Sequence, residues 1–202
     1  MKRVFPDYFC KKNLPLSELN TYIRMSIDVK TKEILSNLKS TDPEFLLETI
    51  DKIRESGNSL ILAELIDLLH NTALPEIKKN ILNLLSELKN KESVPAFIAA
   101  IKNEKYTSER KDLLACCWQN GLSYNEYLPI FIDLVINEEF MIAFEAFTVV
   151  ENMFGKVDDE VIDKEIIKVK NALNSASEQK AYLLNGLLVI IHDIPEEQEF
   201  NE

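Results

Sequence analysis

The sequence has little glycine, cysteine, histidine or tryptophan: four, three, two and one in 202 residues. Four glycines cannot furnish the turns of a many-stranded sheet protein, and β-branched and aromatic residues do not alternate with polar ones, so an all-β fold is excluded. Cysteines at 10, 116 and 117 are odd in number, and two of them are adjacent, so they make no disulfide framework and predict a reducing compartment. Basic charge is also short. With 23 basic against 34 acidic side chains the formal net charge is −11, which argues against a nucleic-acid partner, since phosphate binding needs a basic stripe. No apolar run approaches the ~20 residues of a membrane span, and "MKRVFPDYFCKKN" is interrupted by Pro6 and Asp7 before it can resemble a signal peptide. The expectations are a cytoplasmic location, no membrane and no nucleic acid.

Leu, Ile, Glu, Lys and Asn dominate, and apolar residues recur at helical spacing almost throughout. Leu16, Leu19, Ile23, Ile27, Ile34 and Leu38 mark one face of a helix over about residues 17–39. Asp42 and Pro43 start a second helix that runs to Gly57, and "SLILAELIDLLHN" makes a third. Further helices follow in "PEIKKNILNLLSELK", "VPAFIAAIKN", "TSERKDLLACCWQN", "YLPIFIDLVIN", "EEFMIAFEAFTVVENM", "DDEVIDKEIIKVKNALN" and "SEQKAYLLNGLLVIIHD". The tail "DIPEEQEFNE" holds five acidic residues and no basic one, and reads as a solvated end.

Leu62, Pro95 and Pro129 open the same phrase at steps of 33 and 34: "LAELIDLLHN", "PAFIAAIKNE" and "PIFIDLVINE". Helix pairs recurring at this period cannot bury their apolar faces alone and predict a stacked array. The stretch "SVPAFIAAIKNEKYTSERKDLLACCWQNGL" resembles a HEAT repeat, with its opening proline, its first helix ending near a charge, and a second helix that starts charged and ends apolar with glycine. Residues 60–155 carry the likeness best. It implies an all-α, HEAT-like, right-handed solenoid of four to five antiparallel helix pairs. The domain reading is 1–192 as one unit, with 1–40 a capping region and 41–192 the repeats, followed by an acidic tail over 193–202. The chain departs from the family in its charged ladder between repeats, which is only patchily present, through Lys78, Arg110 and Asp133.

The pair Cys116–Cys117 beside Trp118, the sole tryptophan, invites a chemical reading. On a helical wheel Leu113, Leu114, Cys117 and Trp118 share an arc of about 140°, which makes Cys117 and Trp118 core. Cys116 sits to the side, one turn after Asp112, whose carboxylate raises a thiol's pKa. His70 and His192 lie near helix ends, where a cation is favoured. Neither is followed by glutamate, so the paired His-Glu motifs of the HEAT-like metal hydroxylases are missing, and no metal or cofactor is expected. The HEAT-like DNA glycosylases need a basic aromatic groove that this chain lacks. No Gly-rich phosphate loop, G-x-S-x-G elbow or EF-hand pattern occurs, and no catalytic residue is assigned.

The positive signal is a set of polar stripes. Glu76, Asn80, Asn83 and Glu87 are spaced by four, three and four; Asp112 and Gln119 are seven apart; Glu138, Glu145 and Asn152 recur every seven. In a HEAT-like stack the second helices line the inner surface, so these nine residues would form an acidic, amide-rich groove for a basic or amide-rich segment of another protein. Non-catalytic protein binding is the reading. The alternatives are an enzyme or cofactor-handling protein of the HEAT-like bilin-lyase type, using Cys116, Tyr124 or groove carboxylates, and a structural homo-oligomer joined through its last helix.

Overall fold

The computed structural model describes residues 29–53 and 59–195, and among them there are ten α-helices and no strand. They are α1 (Val29–Asn37), α2 (Pro43–Ile53), α3 (Ser59–Asn71), α4 (Pro75–Glu87), α5 (Val94–Lys102), α6 (Arg110–Gln119), α7 (Leu128–Asn137), α8 (Phe140–Glu151), α9 (Asp159–Leu173) and α10 (Glu178–Ile190). The expected first helix over 17–39 and the stretch up to Gly57 fall partly outside the described residues. No described helix is long and apolar enough to cross a membrane.

Local chemistry sets the helix starts. Asp42 accepts from the Glu44 N–H at 3.0 Å, with Pro43 opening α2. Asp158 and Ser177 cap α9 and α10 in the same way. Each satisfies a backbone donor that a first helical turn leaves orphaned. The helix expected from Thr107 begins three residues later, at Arg110, because Glu104–Tyr106 forms a 3-10 turn first. The one expected from Glu138 begins at Phe140, because the Glu139 side chain accepts from the Met141 and Ile142 N–H groups and caps it.

Helices pack as the successive pairs α1–α2, α3–α4, α5–α6, α7–α8 and α9–α10. The even-numbered helices also pack in series, α2 on α4, α4 on α6, α6 on α8 and α8 on α10. Helices α6 and α8 run in the same direction: Arg110 meets Glu138 at their starts and Trp118 meets Glu145 about two turns on. Phe147 of α8 lies against Gly186 of α10, where a Cβ would come within 2.8 Å of its ring, so a glycine is needed for this approach. One apolar core runs from Leu38 to Ile191.

Charged contacts join successive pairs. Asp67 takes hydrogen bonds from Lys105 and Tyr106, Arg110 reaches Glu138 at 2.5 Å, and Asp133 pairs with Lys168 at 2.8 Å. Lysines and Arg110 also cap helix C-termini: Arg110 Nε donates to the Ile101 carbonyl at 2.9 Å, Lys89 to that of Asn120 at 2.7 Å, and Lys180 to that of Val135 at 2.5 Å. The segment read as a solvated tail from residue 193 is held as far as Pro195. Ile194 packs on the core, and the Pro195 carbonyl accepts from the Gly155 N–H at 2.8 Å. Residues 196–202 lie outside the described residues.

Candidate functional site

The polar stripes occupy three even-numbered helices that pack in series. On α4, Glu76, Asn83 and Glu87 are exposed and Asn80 is half-buried, its amide donating to the Glu76 carbonyl at 2.9 Å. On α6, Asp112 is half-buried and Gln119 exposed; on α8, Asn152 at the C-cap is exposed. These seven are clear of the apolar core.

Glu138 and Glu145 differ from the other groove residues. Both are half-buried, and both are engaged by α6. Glu138 precedes α8 and holds the buried Arg110; Glu145 accepts the Trp118 indole N–H at 2.9 Å. A charge reversal at Glu145 therefore acts on the packing of α6 against α8 as well as on the surface. Single-helix spacing misses this because the partner sits on a different helix.

The same packing corrects the reading of the thiols. Because α6 lies between α4 and α8, its flank is covered too: Cys116 is as buried as Cys117, and its S–H donates to the Leu82 carbonyl at 3.6 Å. Trp118, assigned to the core stripe, is half-exposed at the edge facing α8. Burial, with Asp112 adding repulsion, pushes the Cys116 thiol up to about 12. Burial likewise raises Cys117, although a hydrogen bond with Tyr124 opposes it. Neither is the thiolate that nucleophilic chemistry needs. With Cys10 replaced by serine, Ellman's reagent at pH 8 is expected to react with native Cys116 and Cys117 at least roughly a thousandfold more slowly than with free cysteine, following their suppressed thiolate fraction. One fast-reacting thiol would overturn their core placement.

Two polar clusters were invisible to sequence spacing. Asn120, fully buried, donates to the Tyr124 hydroxyl at 2.9 Å and accepts from the Leu122 N–H at 2.9 Å, fixing the turn after α6. The signal available was "QNG", since asparagine before glycine at a helix end commonly bonds the backbone two residues on. At the other end of α6, His70 lies 2.9 Å from the buried carboxylate of Glu109, which also takes the Ser108 hydroxyl at 3.0 Å. Nearby, burial raises the Asp67 carboxyl, but its hydrogen bonds from Lys105 and Tyr106 outweigh this and hold it below the usual range. Sequence position alone places His70 as a helix-end cation and does not reveal Glu109 beside it. No three His, Cys, Asp or Glu side chains come together as a metal ion would require, among the described residues.

Between the end of α6 and the end of α8 lies a cavity of about 230 Å³. Cys117, Trp118, Tyr124, Glu151, Asn152 and Phe154 line it, and Pro195 closes one side. Gly155 holds this wall in place. Its φ of +103° suits glycine, and a Cβ there would come within 2.9 Å of Ser123 and Asn125. Part of its lining comes from the ends of α6 and α8, two of the helices that carry the polar stripes.

No family model and no curated protein matches the chain. Among solved structures, the crystal structure of an engineered protein from the Northeast Structural Genomics Consortium is similar over 91% of this chain and 87% of that one, at 15% identity and a TM-score of 0.44.

Proposed function

We propose that the chain is a short HEAT-like, right-handed solenoid of five helix pairs that binds another protein on the face made by α4, α6, α8 and α10. The pairwise packing, the serial contacts of the even helices and the charged links at intervals of 28 to 38 residues support the solenoid. One observation carries the binding reading. Large apolar side chains stand exposed on the last two of these helices: Met141 and Phe144 on α8 at 48% and 45%, Tyr182 and Val189 on α10 at 79% and 68%. Met141, Phe144, Glu145, Thr148 and Asn152 fall in one arc of about 100° on α8, opposite its buried face. Apolar residues grouped at a polar, acidic border mark interaction surfaces. Raised thiols weigh against the enzyme alternative that uses Cys116.

Phe144→Glu with Tyr182→Glu tests this in capture from native lysate. Aromatic anchors of an interface each carry about 2 kcal/mol or more, so the captured protein is expected to fall at least tenfold. Melting should shift little, because substitutions at exposed positions change stability by about 0.5 kcal/mol. Capture by wild type and variant alike would refute the surface. The homo-oligomer reading places a second copy on the same Tyr182–Val189 face, and sedimentation of wild type against the double variant separates it from a foreign partner.

A further inference from the structure

The cavity between α6 and α8 has a chemistry of its own. The Trp118 and Tyr124 polar groups in its lining are engaged within the protein, and the Glu151 carboxylate is an acceptor. The Trp118 N–H is donated to Glu145, and the Tyr124 hydroxyl is held by Asn120 and Cys117. The Asn152 amide donates one of its two N–H groups to the Thr148 carbonyl at 2.8 Å. Glu151 is exposed and has no ion-pair or hydrogen-bond partner among the described residues. Two helices also end here, α6 at Gln119, where Lys89 already holds the Asn120 carbonyl, and α8 at Glu151, whose C-terminus carries partial negative charge. Trp118 and Phe154 add aromatic walls, which attract cations. An aromatic-walled socket with a free carboxylate at its edge, in an acidic protein, suits a cation that also donates hydrogen bonds.

We propose that this socket receives an arginine side chain of the bound partner. Its guanidinium forks onto the Glu151 carboxylate and the Asn152 oxygen, and its plane packs among the aromatic walls. Arginine suits the site better than lysine because it is planar, weakly hydrated and able to stack while donating in a fork. Glu145 is then a positioning residue, holding the Trp118 indole at the wall. The assignment rests on the protein-binding reading, and it names what that surface selects: an apolar segment with an arginine beside it.

Because Trp118 is the sole tryptophan, its emission reports on the socket. The probe is N-acetyl-arginine methylamide, and its neutral isostere, N-acetyl-citrulline methylamide, is the control. The arginine probe should give a saturable change with a Kd of about 1–10 mM, as a few contacts allow. Citrulline should bind at least about fivefold more weakly, and Glu151→Gln should weaken the arginine probe about fivefold while leaving citrulline unchanged. Glu48→Gln on exposed α2 should change neither. No saturation by about 50 mM, equal binding of the two probes, or a silent Glu151→Gln would each overturn the socket. The two failures separate cleanly. A dead socket with capture still lost in the Phe144→Glu/Tyr182→Glu variant leaves the surface standing. A live socket with capture insensitive to that variant removes the surface reading alone.

Discussion

Arg110→Met is expected to lower the unfolding free energy by about 3 kcal/mol, the low end for breaking a buried ion pair. The Arg110 side chain is 9% exposed and Glu138 27%, so the carboxylate left behind recovers only part of its hydration. The guanidinium also donates through Nε to the Ile101 carbonyl at the end of α5, so its loss orphans two acceptors on two elements. For a chain of this size that is a fall in Tm of about 6–12 °C. A double-mutant cycle with Glu138→Gln checks the cause. Once the carboxylate is neutralised, removing Arg110 should cost at least about 1 kcal/mol less than it does alone, because most of the penalty is the stranded charge. Additive losses would show that Arg110 acts through its packing stem instead.

Where the sequence predicted well, the cause was local. Asp42, Asp158 and Ser177 announce helix starts because a cap bonds the first turn of its own helix, and the prolines at 75, 95 and 129 sit where a missing N–H does no harm. The helical spacing of apolar residues anticipates an all-helical chain because each helix buries one stripe against its neighbours. The errors arose where a second helix decides. A wheel drawn for α6 alone gives it one buried face, but α4 and α8 cover both of its flanks, which buries Cys116 and leaves Trp118 at the rim. Glu138 and Glu145, seven apart, read as groove carboxylates, yet each answers a donor on α6. The socket was out of reach altogether: Trp118, Glu151 and Pro195 are separated by dozens of residues, and no periodicity links them.

The proposed repeat makes the last prediction. "PAFI" and "PIFI" place Phe97 and Phe131 at equivalent positions of α5 and α7, 34 residues apart, and both are fully buried. Tyr124 stands between them, edge-on to each ring, with centroids at 6.4 and 5.8 Å. Phe131→Ala opens a cavity at this junction and is expected to remove about 3–5 kcal/mol, plus the aromatic contact with Tyr124. In a helical array, stability is close to a sum over units and their neighbours, so the loss should be local. Amides of α7 to α10 should exchange faster by hydrogen exchange, while those of α2 to α4 keep their protection. Phe97→Ala should move the weakened zone one unit towards the N-terminus. Uniform loss of protection in both variants would mean that the ten helices unfold as one cooperative block, and the repeat reading would fail with it.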